Sequence, residues 1–152
     1  MSIAALIFWI VTALGGFYLL GTWLRGGGLR QEQSGVTRFR PPLIFGHFLL
    51  AAAGLIVWIV YVVADQTAIA WVAFIIIALV ALLGFTMFAR WLTVYRARVP
   101  AAVPAGPPSA AAGGGAVPAE RHLPVPIVAA HGVLAATTLV LVLLAAIGVG
   151  GS

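Results

Sequence analysis

The sequence predicts an all-α membrane protein, a bundle of four transmembrane helices with both termini outside the cytoplasm. Apolar residues make up 63% of the 152 residues and charged residues only 7%, which excludes an ordinary water-soluble domain. The apolar residues are gathered in four runs, each close to the roughly 20 residues that a helix needs to cross a hydrocarbon layer of about 30 Å. The runs do not alternate apolar and polar residues, as the strands of a membrane barrel do.

The four spans are predicted over residues 3–24, 43–63, 69–91 and 125–149. The first span has no basic residue ahead of it and is longer than the core of a signal peptide, so it is interpreted as a permanent helix. A proline stands at the start of the second and fourth spans, where its fixed φ suits the first helical turn. Residues 99–124 are rich in Ala, Pro and Gly, which predicts a flexible cytoplasmic loop.

The basic residues indicate the orientation of the chain. All eight are arginines on one side of the predicted spans: Arg25, Arg30, Arg38, Arg40, Arg90, Arg96, Arg98 and Arg121. The opposite connection carries only Asp65, so the positive-inside rule places the arginines in the cytoplasm. We expect them to contact the lipid bilayer rather than nucleic acid. Arginine without lysine is typical of a GC-rich bacterial genome, which predicts a multi-pass protein of the plasma (inner) membrane.

An internal repeat divides the chain into halves 1–66 and 67–152. A Gly-Phe pair followed six residues later by Trp-Leu occurs in the first and third spans, at residues 16–24 and 84–92. A proline followed five residues later by a histidine begins the second and fourth spans, at residues 42–47 and 126–131. These matches predict a duplicated two-helix hairpin, with both halves inserted in the same direction about a pseudo-twofold axis along the membrane normal.

His47 and His131 are the ionisable residues set well inside the predicted spans, because the three acidic residues lie in connections and the arginines at span ends. Ionisable groups in a membrane are costly, so they carry a functional hypothesis by default. Each histidine lies five residues after its proline, which places both roughly 7–8 Å from the cytoplasmic end. The repeat would direct both imidazoles to a common centre.

Two facing imidazoles with no other polar ligand are typical of a bis-histidine b-type haem, while two histidines alone make a poor zinc site. Small residues near the histidines would leave room for a porphyrin: Gly16, Gly84, Ala51, Gly54, Ala135 and Thr138. The candidate partners for the haem propionates are Arg40, Arg90, Arg121 and His122. The plan is similar to that of membrane b-type cytochromes built on four-helix bundles with inward-facing histidines.

The sequence therefore predicts an electron-transfer protein or subunit that exchanges electrons with a quinone or a partner protein, within a respiratory or other membrane complex. It is not expected to be an enzyme on its own, because no nucleophile and base pair is found. A non-catalytic accessory subunit is the alternative, since membrane histidines and small residues also serve helix packing. A quinone, proton-relay or metal role is also open. A small transporter ranks last, because no span carries an acidic residue or a central proline.

Overall fold

Four long helices dominate the computed structural model, which describes residues 1–97 and 117–149. The elements are α1 Ser2–Arg25, α2 Gly28–Gln33, α3 Pro41–Ala64, α4 Thr67–Arg96, a 3₁₀ helix Ala119–His122 and α5 Val125–Ala146. Of the described residues, 85% are helical and none is in a strand. Helices α1, α3, α4 and α5 are long and apolar enough to cross a membrane, which confirms the predicted class. Residues 98–116, which hold most of the predicted flexible loop, lie outside the described residues.

The outward faces of the long helices are apolar. Leu14, Phe85 and Val133 are 63%, 71% and 67% exposed. Exposed apolar surface on this scale is unfavourable in water but needs no cover in a hydrocarbon solvent. The exterior of the bundle therefore fits a lipid environment.

The helix ends follow local rules that the hydrophobic runs did not reveal. Gly148 has a φ of 80°, its N–H donates to Ala145 O at 3.0 Å, and the N–H of Val149 donates to Leu144 O at 2.8 Å. This is a Schellman motif, which stops α5 at Ala146. The predicted fourth span, ending at residue 149, was three residues too long. Helix α4 instead continues to Arg96, five residues past the predicted end, because residues 92–96 contain no Gly or Pro.

The four long helices pack in a ring. Helix α1 packs against α5, α5 against α4, α4 against α3 and α3 against α1, so α3 and α5 lie diagonally across the bundle. We call the end where α3 and α5 begin the arginine end, and the end that holds both termini the termini end. An apolar cluster fills each. The termini-end cluster includes Trp9 and Trp58, while the arginine-end cluster consists of Trp23, Phe39, Ile44, Trp91, Ala119 and Leu123.

The buried side chain of Glu120 joins the 3₁₀ helix to the connection before α3 at the arginine end. It is 0% exposed, and its Oε1 accepts hydrogen bonds from the Thr37 hydroxyl and from the backbone N–H groups of Arg38 at 2.6 Å and Phe39 at 2.7 Å. These donors satisfy one oxygen of a carboxyl group that would be costly to bury alone. The sequence had placed Glu120 in the flexible loop of residues 99–124, but residues 117–124 pack on the bundle through this contact.

The short helix α2, which the sequence did not predict, also holds the 3₁₀ helix. The Gln31 side chain donates from Nε2 to Val117 O at 2.8 Å and accepts at Oε1 from the N–H of Ala119 at 2.7 Å. Such a reciprocal pair of bonds to backbone groups fixes the register of both segments. Gln31 and Glu120 together attach the segment before α5 to the connection between α1 and α3.

We predict that Glu120→Ala lowers the stability of the purified protein, because the N–H groups of Arg38 and Phe39 lose their acceptor. An unsatisfied buried donor costs about 1–3 kcal/mol. Thermal unfolding in detergent measures the loss, and Glu32→Ala, which removes an exposed carboxyl group, is the matched control. Equal midpoints for the two variants would contradict a structural role for Glu120.

Candidate functional site

His47 and His131 lie side by side in the interior of the bundle. Their ring centroids are 6.4 Å apart and the ring planes are inclined at 60°. The two residues come from α3 and α5, the diagonal pair of helices, so each imidazole reaches across the centre. Both side chains are half-buried. The structure thus places together the two histidines that the repeat pairs in sequence.

Each imidazole is tied to a backbone carbonyl on a neighbouring helix. His47 Nδ1 lies 3.0 Å from Val80 O on α4, and His131 Nδ1 lies 3.0 Å from Thr12 O on α1. A carbonyl oxygen can only accept, so Nδ1 carries the hydrogen and donates it. The remaining ring nitrogen, Nε2, then holds a free lone pair, which is the state of a metal-ligating histidine.

Glycines give the imidazoles access to these carbonyls. Gly16 stands four residues after Thr12 and Gly84 four residues after Val80, so each glycine lies one helical turn beyond the accepting carbonyl. A Cβ at Gly16 would lie 3.2 Å from His131 Cε1, and a Cβ at Gly84 would lie 3.2 Å from His47 Cε1. The two predicted pocket glycines therefore leave the space in which the histidine rings approach α1 and α4.

Neither Nε2 has a hydrogen-bond partner in the described residues, where the bonds of both rings run through Nδ1. The buried side-chain atoms without a partner are Trp91 Nε1 and Glu120 Oε2 among those residues, so neither histidine Nε2 is sealed inside protein. An unpaired nitrogen next to accessible space is able to bind a ligand. Each imidazole therefore presents a free lone pair in the middle of the bundle.

The other predicted pocket residues are less closely tied to the pair. Ala51 and Ala135 are half-buried. The atoms nearest to a Cβ at Gly54 belong to Ile76 and Trp9, at 2.9 and 3.0 Å, so Gly54 makes room for the termini-end cluster. Thr138 donates to Leu134 O at 2.8 Å.

The hydroxyl oxygen of Thr138 also lies 3.4 Å from that of Thr12, the residue whose carbonyl accepts from His131. Thr138 thus contacts Thr12, the residue whose carbonyl oxygen fixes the position of the His131 ring.

The predicted propionate partners lie close to members of the arginine-end cluster along the chain. Ile44 of that cluster precedes His47 by one turn of α3, toward the arginine end. Arg90 donates from a guanidinium nitrogen to Arg38 O at 2.9 Å, while Arg40, Arg121 and His122 are exposed. All four residues lie toward the arginine end of the bundle.

The sequence reading missed the accepting carbonyls of Thr12 and Val80, and also Gly15, whose Cβ position would lie 3.5 Å from His131 Nδ1. A signal for the carbonyls existed. Gly16 and Gly84, the glycines of the Gly-Phe pairs, lie at the same depth in the bundle as the two histidines. A glycine in a helix leaves the carbonyl oxygen one turn earlier uncovered by a side chain.

The distance between the two rings is long enough for one metal ion to lie between them. A metal to histidine nitrogen bond is about 2 Å long, and with the ring radius added on each side two opposed imidazoles would have centroids roughly 6.3–6.5 Å apart. The observed separation is 6.4 Å. Among the described residues no third His, Cys, Asp or Glu joins the pair, so the donor set is two imidazoles.

Comparison with protein-family models, with curated proteins and with solved structures found no match. The interpretation of the site therefore rests on this chain's own residues and their geometry.

We predict that Gly16→Ala and Gly84→Ala displace the imidazoles and lower stability, since the new methyl group meets the ring at 3.2 Å. Gly46→Ala and Gly132→Ala are matched controls, because these glycines flank the histidines in sequence and nothing lies within 4 Å of their Cβ positions. All four changes raise helix propensity by a similar amount, about 1 kcal/mol. Thermal unfolding should rank both controls above both test variants, and the reverse order would contradict the close approach.

Proposed function

We propose that the chain is an integral membrane electron-transfer protein or subunit that binds one b-type haem through His47 and His131. The observation that supports this most directly is the pair of imidazoles, 6.4 Å apart between centroids, with both Nδ1 atoms bound to carbonyls. Axial histidines of haem proteins use one ring nitrogen for iron and the other for such an outer hydrogen bond. The cofactor would supply a one-electron redox couple.

The residues of this chain would set the position and potential of that couple. The carbonyls of Val80 and Thr12 fix the tautomer and the ring orientation and raise the basicity of each ligand. Gly16 and Gly84 keep side chains away from the flanks of the rings. The low polarity of the bundle interior favours the form of the centre that carries less charge.

We also infer that the chain is a duplicated hairpin. Helix α3 packs against α4 as α5 packs against α1, and each histidine bonds to a carbonyl one turn before a glycine of the other half. Equal contacts at equivalent positions support the repeat of residues 1–66 and 67–152. Each half then supplies one ligand and the carbonyl that orients the other half's ligand.

The location of the pair suggests how electrons would enter and leave. His47 follows the start of α3 at Pro41 by six residues, which is about 9 Å of helix. One haem near one face cannot by itself carry an electron across a bilayer of about 30 Å. We therefore propose exchange with a quinone or with a redox partner at the arginine end, as part of a bacterial inner-membrane complex. Pairing of the propionates with Arg40, Arg90, Arg121 or His122 stays a prediction.

An accessory role in a larger membrane complex is the second candidate. The same two hydrogen bonds join α3 to α4 and α5 to α1, and bonds of this kind between membrane helices are worth about 0.6–2 kcal/mol. Under this alternative His47→Gln and His131→Gln would retain folding and assembly, since glutamine also donates to a carbonyl.

For the haem, we predict a Soret band and a shifted α band on reduction of protein purified after expression with ample haem supply. His47→Ala and His131→Ala should each remove the bis-histidine spectrum, because the iron loses an axial nitrogen. His122→Ala is the matched control and should keep the spectrum. A folded, monodisperse wild-type protein with no Soret band in either redox state would overturn the proposal.

For the orientation, we predict that the arginine end faces the cytoplasm. The chain has no cysteine, so a single introduced thiol reports its own position. In intact spheroplasts a membrane-impermeant maleimide should label Gln66→Cys at once and Ser34→Cys only after permeabilisation. Both residues are exposed at opposite ends of the bundle. The reverse labelling order would contradict the orientation.

A further inference from the structure

A basic cavity of about 870 Å³, open to the outside over much of its surface, lies at the arginine end of the bundle. Its walls come from the connection before α3, from the first turn of α3 at Pro42 and from the last turns of α4 at Ala89–Thr93. Cavities of 300–1,000 Å³ are the usual size for small-ligand sites. The cavity is therefore large enough for an organic headgroup and not only for a single ion.

The lining of this cavity is strongly positive. It includes Arg38, Arg40 and Arg90, with one opposing carboxyl group at Glu32. Arg90 donates one guanidinium N–H to Arg38 O at 2.9 Å, which fixes its position at the wall. Arg38, Arg40 and Arg90 form no ion pair within residues 1–97 and 117–149. Their charges are thus available to a bound anion.

The Glu120 carboxyl group makes no hydrogen bond to these guanidinium groups among the described contacts. Its Oε1 is occupied by Thr37 and by two backbone N–H groups, and the residue is fully buried. The hydroxyl-bearing residues Thr37 and Thr93 line the cavity as well. A smaller space of about 200 Å³ shares Arg38 and Thr93 and adds Arg121, so the basic lining extends toward the 3₁₀ helix.

The cavity is separate from the histidine pair. Neither His47 nor His131 lines it, and Ile44, one turn before His47 on α3, is buried in the arginine-end cluster. A ligand in this cavity would therefore not contact the histidine pair, although Arg40 and Arg90 are also predicted partners of the haem propionates.

We propose that this cavity binds a phosphoryl anion, and that the source is the headgroup of an anionic phospholipid. Guanidinium groups form paired hydrogen bonds with phosphate oxygens, and three arginines around one space offer such donors to a phosphodiester headgroup. The cavity lies where α3 begins and α4 nears its end, at the level where lipid headgroups meet a membrane protein. Basic pockets between transmembrane helices are known to bind such headgroups. Free phosphate shares the chemistry and is the other source to be tested.

The test compares the thermal midpoint of the purified full chain in neutral detergent with added phosphatidylglycerol, with phosphatidylcholine, or with inorganic phosphate at matched ionic strength. We expect phosphatidylglycerol to raise the midpoint by roughly 3–5 °C more than phosphatidylcholine. The double variant Arg38→Gln/Arg40→Gln should lose at least half of this difference. Arg25→Gln/Arg30→Gln removes the same charge at the same end, outside the cavity, and should keep it.

Three outcomes would overturn the lipid site or change its source. Equal shifts with both lipids would show that the cavity does not select an anionic headgroup. Equal losses in the two double variants would show that total charge at this end matters and the cavity does not. A shift with inorganic phosphate as large as that with phosphatidylglycerol would support the anion site and assign it to free phosphate. Single Arg40→Gln, at an exposed position, serves as the test if the double variant does not fold.

Discussion

Two hydrogen bonds from imidazole to backbone carbonyl organise the middle of this bundle. In an interior without water, a polar ring must find its hydrogen-bond partner within the protein. Here the partners are backbone carbonyl oxygens within helices α4 and α1, each of which already accepts an N–H of its own helix. A carbonyl oxygen has a second lone pair, but side chains on the next turn normally cover it. Gly16 and Gly84 remove that cover. The positions of the two glycines thus determine which carbonyls accept hydrogen bonds from His47 and His131. These bonds in turn determine how α3 and α5 face each other.

The two ends of the bundle are closed by different means. The termini end is held by aromatic packing, with Trp9 and Trp58 at 6.4 Å between ring centroids and Trp58 Nε1 donating to Ser2 O at 3.2 Å. The arginine end combines an apolar cluster with the buried carboxyl group of Glu120. This arrangement leaves the histidine centre between two packed layers. At the same end Arg90 donates to Arg38 O, and Arg38 and Arg40 are exposed.

Much of the fold could be predicted from the sequence, because four long apolar runs leave few alternatives once the backbone must satisfy itself in lipid. The pairing of His47 with His131 was also accessible, through the proline and histidine spacing. The placement of Glu120 could not be predicted. A single acidic residue after an Ala/Pro/Gly stretch belongs to no periodic pattern, and its partners are backbone N–H groups distant in sequence. The carbonyls of Val80 and Thr12 were missed because every residue carries a carbonyl, although a glycine four residues after each indicated which two are accessible.

The central claim is that His47 and His131 act on one ligand from opposite sides through their Nε2 atoms. Electron paramagnetic resonance of the oxidised, haem-loaded protein tests this most directly, because the spin state of ferric iron depends on its axial ligands. Two imidazole nitrogens impose a strong ligand field, so the account predicts a low-spin signal in the wild-type protein. A wild-type spectrum that is high-spin would contradict it, since the iron would then lack one of the two histidines.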